Sequence, residues 1–350
     1  MSKIWIAVFA AAIILLSGCS EDQAESNETD HTNNEQQPEE EVAQEESEPE
    51  YTFPLTGTAA EAEVNGRAVA VMINNHPLAR QQSGLHEADI VYELLAEGEV
   101  TRFLAIYQSH KPAQIGPIRS ARDYYIELAK GYDSLYVAHG NSPEAKKLMD
   151  SGYIDSLNGL YYDGTLFKRA SFRKAPHNSY ISFANIEKGA EEKGYSMEDA
   201  PSPLEYLNKE EIGQLEGDTA ANVKVSYFSR ETFNSVYEYD TAQEKYKRYS
   251  NGELTADYET NTPVLLDNIF IVETEHEIVD NAGRRDIDLL SGGRAYLLQK
   301  GTLREVNWEN IDGKILPVAD GEQIGLVPGK TWINVIPASV GLEESVSYDS

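Results

Sequence analysis

The sequence predicts an α+β protein: an N-terminal α/β domain followed by a mostly-β C-terminal domain, built as a sandwich or a curled sheet. Three observations predict it. Strand-type runs alternate with helix signals over residues 51–200, the pattern of α/β packing. A Pro-containing polar stretch breaks that alternation over 201–221. Beyond it helical periods nearly vanish, and short β-branched and aromatic runs are separated by Gly-rich turns. A chain of 350 residues, 41% of them hydrophobic, has the material for two cores.

The elements follow in order. Tyr51-Thr-Phe-Pro-Leu-Thr-Gly57 opens the folded part. Arg67–Ile73 is an apolar run of strand type, ended by Asn74-Asn75-His76-Pro77. Asp89–Leu95 and Arg102–Tyr107 read as two strands split by the turn Glu97-Gly98-Glu99. Ser120 is placed to cap a helix running through Ala129, with Asp123 in its first turn. Leu135–Ala138 is a fourth strand. Ser142-Pro143 then starts a helix through Met149 with Pro at its first position. Phe183–Lys193 is another helix. In the second half, Val223–Phe228 alternates, Val236–Tyr239 and Tyr246–Tyr249 make a hairpin, and Ile269–Val272, Ala295–Leu298 and Trp332–Ile336 are further strands. Residues 222–340 form the β-rich domain, and 341–350 an acidic tail.

The N-terminus carries an address. Met1-Ser-Lys3 bears one positive charge, an apolar run extends from Ile4 to Leu16, and Leu16-Ser-Gly-Cys19 follows. That is the plan of a secretory signal peptide, and the run is shorter than the ~20 residues of a spanning helix. The four residues before and at the cut resemble the lipobox of bacterial lipoproteins. The resemblance implies removal of residues 1–18, a diacylglyceryl thioether on Cys19, and attachment through that lipid to the outer face of the cytoplasmic membrane. Cys19 is the single cysteine, so no disulfide can form within the chain and stability rests on packing. Residues 20–50 hold thirteen Asp and Glu and no Lys or Arg, which predicts an extended, disordered tether. Its limit is about 100 Å, at roughly 3.3 Å per residue. The net charge of −30 excludes nucleic acid as a main partner.

Several separate motifs, occurring in order, resemble the YerB-like bacterial lipoproteins. They are Gly84-Leu-His-Glu-Ala-Asp-Ile-Val-Tyr-Glu93, Glu97-Gly-Glu-Val-Thr-Arg-Phe103, Ile115-Gly-Pro-Ile-Arg-Ser-Ala-Arg122, Arg173-Lys-Ala-Pro-His-Asn178 and Gly329-Lys-Thr-Trp-Ile333. The resemblance covers residues 51–337 and implies two domains of unknown function behind a lipobox; it implies no reaction. It also implies a His-x-Asp pair after the Tyr hairpin, but here that stretch is Leu254-Thr-Ala-Asp257, without the histidine.

The residues best suited to chemistry are cationic. Arg102, Arg119, Arg122, Arg169 and Arg173 stand out in so acidic a chain, beside His139 and His177. Arg119 and Arg122 flank the expected helix start at Ser120, where free N–H groups and two guanidinium forks would seat phosphate or carboxylate. His139 follows a strand directly, where ligands bind in α/β sheets, and His177-Asn178 lies in a polar loop. Against this stands the reading that these arginines pair with internal acids. A weaker echo of the LytR-CpsA-Psr enzymes, which move wall polymers from a lipid pyrophosphate, aligns Asp89, the strand at Arg102, and Arg122-Asp123. It would make Asp89 and Asp123 metal ligands. A glycan-cleaving reading makes Glu97 the general acid. Clustered tyrosines, among the 21 in the chain, suit cross-strand pairing better than sugar stacking. The expectation is therefore an envelope lipoprotein binding an anionic, wall-related ligand through Arg102, Arg119, Ser120, Arg122, Arg173, His139, His177 and Asn178. The alternative is a cell-wall enzyme that cleaves glycan or transfers polymer from a lipid-linked carrier. No cofactor is required, a divalent metal is admissible, and oligomeric state is open.

Overall fold

The computed structural model describes residues Pro49–Asp349; the expected signal peptide, Cys19 and most of the expected tether lie outside the described residues. Residues Glu48–Ser350 form one compact unit.

The strands that position the site are β1 (Val69–Asn74), β2 (Ile90–Leu95), β3 (Thr101–Tyr107), β4 (Leu135–Ala138) and β5 (Ser156–Asn158). The helices among and after them are α1 (Asp123–Lys130), α2 (Pro143–Asp150) and α3 (Phe183–Lys193). The second half supplies β6 (Asn222–Val225), β7 (Ser235–Asp240), β8 (Lys245–Ser250), β9 (Asn268–Thr274), β10 (Gly293–Gln299), β11 (Thr302–Ile311), β12 (Lys314–Ala319), β13 (Thr331–Pro337) and β14 (Val346–Tyr348).

Strands from both expected regions join in one sheet. One mixed sheet of twelve strands runs β12-β11-β10-β9-β13-β2-β3-β1-β4-β5, with two short strands beside β11 and β12. The join is β13, from the far end of the chain, which lies parallel to both β9 and β2. What was expected as a separate α/β domain is thus one half of a shared sheet. The expected second domain is split between that sheet and a six-stranded sheet of β8, β7, β6, β14 and two short strands. The physical reason is that an apolar run announces a strand but not its partner. Strands buried on both faces read as near-continuous hydrophobic runs.

Burial on both faces is visible residue by residue. Val69, Val71 and Ile73 of β1 point to one core, while Ala70 and Met72 point to the other. The first core is closed by the six-stranded sheet, through Val223, Val225, Tyr237 and Tyr246, and by Phe183, Ile186 and Ala190 of α3. The second is closed by α1, which brings Tyr125, Ile126 and Leu128, and by Ala145 of α2. Residues of the expected linker, 201–221, take part in packing and pairing. Leu204 is buried, and Asp218–Thr219 pairs with β11. The expected acidic tail is structured as well: Leu342 is buried and β14 pairs with β6.

Local chemistry explains the element ends. Ser142 caps α2, its side chain accepting from the Ala145 N–H at 3.1 Å, with Pro143 following. Ser182 caps α3 in the same way, and Gly194 at φ 69° ends it. The Ser120 cap is not used. Helix α1 begins three residues later, with Arg122 at the cap position, and the Ser120 hydroxyl instead donates to the His139 carbonyl at 3.1 Å. Among the described residues no helix is long and apolar enough to cross a membrane.

Candidate functional site

Strands β1, β4 and β5 are parallel neighbours. In open α/β sheets, ligands bind outside the carboxyl ends of such strands. The segment from Ile118 to Ala121 crosses these ends. The Arg119 N–H donates to the Met72 carbonyl at 2.9 Å, and the His139 N–H to the Arg119 carbonyl at 2.9 Å. Arg119 is thereby fixed between β1 and β4.

Its guanidinium is half-buried, and among the described residues it makes no hydrogen bond and no ion pair. Burial, followed by the Arg102 charge behind it, brings the group down to about 10, so it remains a cation at neutral pH. Three histidines face it. His76, just past β1, stacks on His177 with ring centroids 4.6 Å apart. His177 Nδ1 meets the Asn74 amide at 2.8 Å. His139, just past β4, has Nδ1 at 2.7 Å from the Ser179 hydroxyl and Nε2 at 2.9 Å from Arg169. A Cβ at Gly159 would collide with the His139 ring, so glycine permits the close approach of β5 to β4 here.

All three imidazoles are pushed below their ordinary range, first by burial. For His76 the next causes are Arg119 and Arg80; for His177 they are His76, Arg119 and Arg173. For His139 the next cause is Arg169, with Asp163 opposing and Arg119 adding. Burial is the main cause for all three rings, and the Arg119 charge adds to it at each one.

The other expected residues separate into those brought here and those taken elsewhere. Arg173 is here: it donates to the Gln81 carbonyl, lies over the Phe172 and Tyr258 rings at 5.6 and 5.2 Å, and its charge reaches His177. Asn178 accepts from Arg169 at 3.2 Å on the rim, and Ser120 lies beneath Gly140. Arg102 and Arg122 are corrections. Arg102 donates to Glu97 Oε2 at 2.6 Å and to the Ser120 carbonyl at 2.8 Å, and Arg122 closes on Glu97 Oε1. Both arginines therefore pair internally. Glu97, expected as a general acid, has both its oxygens held by these guanidinium donors.

The two residues expected as metal ligands lie apart. Asp89 precedes β2, fully buried, and Oδ2 accepts the Gln108 and Ser109 N–H groups at 2.6 and 2.9 Å. Asp123 starts α1 near Glu97, beyond the other end of β2. The two carboxylates share no site, and no cluster of metal-ligating residues occurs among the described residues. The histidine missing before Asp257 has a spatial substitute: His86 Nδ1 lies 3.3 Å from Asp257 Oδ1.

A cleft of about 1100 Å³ lies elsewhere. Asp123, Glu127, Glu144, Glu275, Asp286 and Asp288 line it, with Lys130 and Lys147 beside them, so its lining is predominantly acidic. His76 was the residue missed by sequence reasoning. Its signal was a histidine placed directly past the carboxyl end of an apolar strand.

Known proteins share this architecture. Residues 55–196 match the model of the "Protein of unknown function (DUF3048) N-terminal domain", and residues 223–333 that of its C-terminal domain. The chain is 50% identical over 299 residues to "Putative lipoprotein YerB" of Bacillus subtilis (strain 168), covering 84% of this chain and 89% of that protein. It superposes on the crystal structure of YerB protein from Bacillus subtilis with a TM-score of 0.79 at 47% identity, covering 86% of this chain and 100% of that one. The two matched regions are the two halves joined through β13, and the chain belongs to the DUF3048 family.

Proposed function

We propose that this chain is a lipid-anchored, extracytoplasmic protein of the cell envelope that binds an anionic, wall-related ligand at Arg119. The anchor reading is supported by Leu16-Ser-Gly-Cys19 and by the name of the 50%-identical relative. The observation that carries the binding reading is the half-buried Arg119 guanidinium. It has no internal partner and faces His76, His139 and His177 at the carboxyl ends of parallel strands. In a chain of net charge −30, acids were available to neutralise it, and none does so. A guanidinium fork with imidazole and hydroxyl neighbours fits phosphate or carboxylate.

Calorimetric titration of the full chain with inorganic pyrophosphate tests the reading. Saturable binding is expected, weakened at least tenfold in Arg119→Ala with a melting temperature little changed at pH 7.5, where the histidines are neutral, because the Arg119 guanidinium has no hydrogen bond or ion pair among the described residues to lose. Binding that survives the substitution overturns it. For the anchor, Cys19→Ala should move the protein from the membrane fraction to the soluble one.

A further inference from the structure

Exposed large apolar side chains lie next to three members of the Arg119 cluster. Leu78, 69% exposed, follows His76 by two residues, and its N–H donates to His76 Nδ1 at 3.2 Å. Leu160, 58% exposed, follows the glycine that packs on the His139 ring, and its N–H is held by Asn158 Oδ1 at 3.0 Å. Phe172, 49% exposed, stacks face to face on Tyr258 with centroids 4.6 Å apart, beside Arg173. None of the three belongs to either core.

Single exposed apolar residues scattered over a surface need no explanation. These come from three separate segments, each beside a different member of one cationic cluster. We infer that the ligand is an amphiphilic phosphate, an anionic head group carrying a hydrocarbon chain. The inference rests on the anion reading above and narrows it. A wholly polar anion gains nothing from such a rim, whereas a chain leaving a head seated at Arg119 must cross Leu78, Leu160 or Phe172. Apolar area on both partners then leaves water, in proportion to chain length. The head supplies charge complementarity, and the rim selects for the tail.

The test uses the full chain with Cys19→Ser, so that no lipid of its own competes, titrated with inorganic phosphate, methyl phosphate, hexyl phosphate and hexanol. Hexyl phosphate is expected to bind at least tenfold tighter than methyl phosphate, with hexanol far weaker than either. The Leu78→Ser, Leu160→Ser double variant should lose most of that tenfold gain while keeping its affinity for methyl phosphate; both residues are exposed, so the fold is unaffected. Equal affinities for methyl and hexyl phosphate overturn this inference and leave the anion site standing. Hexanol binding as tightly as hexyl phosphate also overturns it. If no phosphate binds, the anion reading fails and this one falls with it.

Discussion

Glu93 and Arg248 form a fully buried ion pair, with a guanidinium nitrogen of Arg248 at 3.0 Å from Glu93 Oε2 across 155 residues of sequence. Glu93 lies on β2 in the N-terminal matched region and Arg248 on β8 in the C-terminal one. The carboxylate is well satisfied, whereas Nε of Arg248 is buried without a hydrogen-bond partner. Glu93 also accepts from Thr101, Ser235 and Asn75 at 2.9, 2.9 and 3.2 Å, and from the Trp332 indole at 3.2 Å. Arg248 sits over the Trp332 and Phe103 rings at 4.6 and 5.2 Å. Removing one member leaves a buried charge without its partner. Arg248→Met is therefore expected to cost about 3–5 kcal/mol, while Glu93→Leu combined with Arg248→Met costs much less than the sum of the two single changes. Urea unfolding of the three variants measures this. Additive costs would mean that the two side chains contribute independently.

The position of β13 makes a second prediction. It pairs with β2 from Thr331↔Ile90 to Val335↔Leu94 and with β9 on its other side. A fragment ending at residue 200 would expose the β2 edge and lose Trp332 from the core around Phe103. Such a fragment is expected to show no cooperative melting, and the whole chain a single transition covering both matched regions. Calorimetry of both decides it. A fragment that melts cooperatively would show that the N-terminal region folds alone.

Most elements were legible in the sequence because they obey local rules: the β1 run, the Ser142-Pro143 start of α2, and the Tyr hairpin of β7 and β8. The β11–β12 hairpin was missed although its signal was present. Asp312-Gly313 joins the two strands with both φ values positive, at 52° and 82°, as a two-residue hairpin turn requires. The shared sheet was not legible, because β13 finds β2 through contacts more than 230 residues apart, which no local pattern encodes. The site was half legible for a related reason. Arg119 and Arg122 are equivalent as sequence, and only the fold decides that Glu97 reaches Arg122 and leaves Arg119 unpaired.

That asymmetry sets an expectation for Glu97. Its carboxylate balances Arg102, which stands behind Arg119. Glu97→Gln removes one negative charge from the back of the cluster, so anion affinity at Arg119 should rise several-fold. Stability should fall by about 1–3 kcal/mol, as the buried Arg102 loses its charged partner. A catalytic acid would behave otherwise, its loss abolishing turnover with ligand affinity little changed. Pyrophosphate titration and urea unfolding of the same variant read both effects, and a fall in affinity would contradict the assignment of Glu97 as a counter-charge.

The histidines make the site and the fold respond oppositely to acid. His76, His139 and His177 are harder to protonate in the folded chain than in the unfolded one. The unfolded state is then the larger proton binder, and stability rises with pH. Their contribution is complete above the unfolded value of about 6.5 and drains away as pH falls through it toward the lower folded values. His276, brought down to about 4 by burial in a different part of the molecule, acts in the same window and is removed from the comparison by His276→Gln. In that background the melting temperature is expected to drop between pH 7.5 and 5. Arg119→Ala, by relieving the repulsion on all three rings, should flatten the drop. Pyrophosphate should bind more tightly as pH falls, because each proton taken up by a histidine adds a positive charge facing the anion. By linkage, saturating pyrophosphate should then restore much of the lost melting temperature. An unchanged pH profile in Arg119→Ala would mean that the arginine does not govern the histidines, and the cluster would no longer be one electrostatic site.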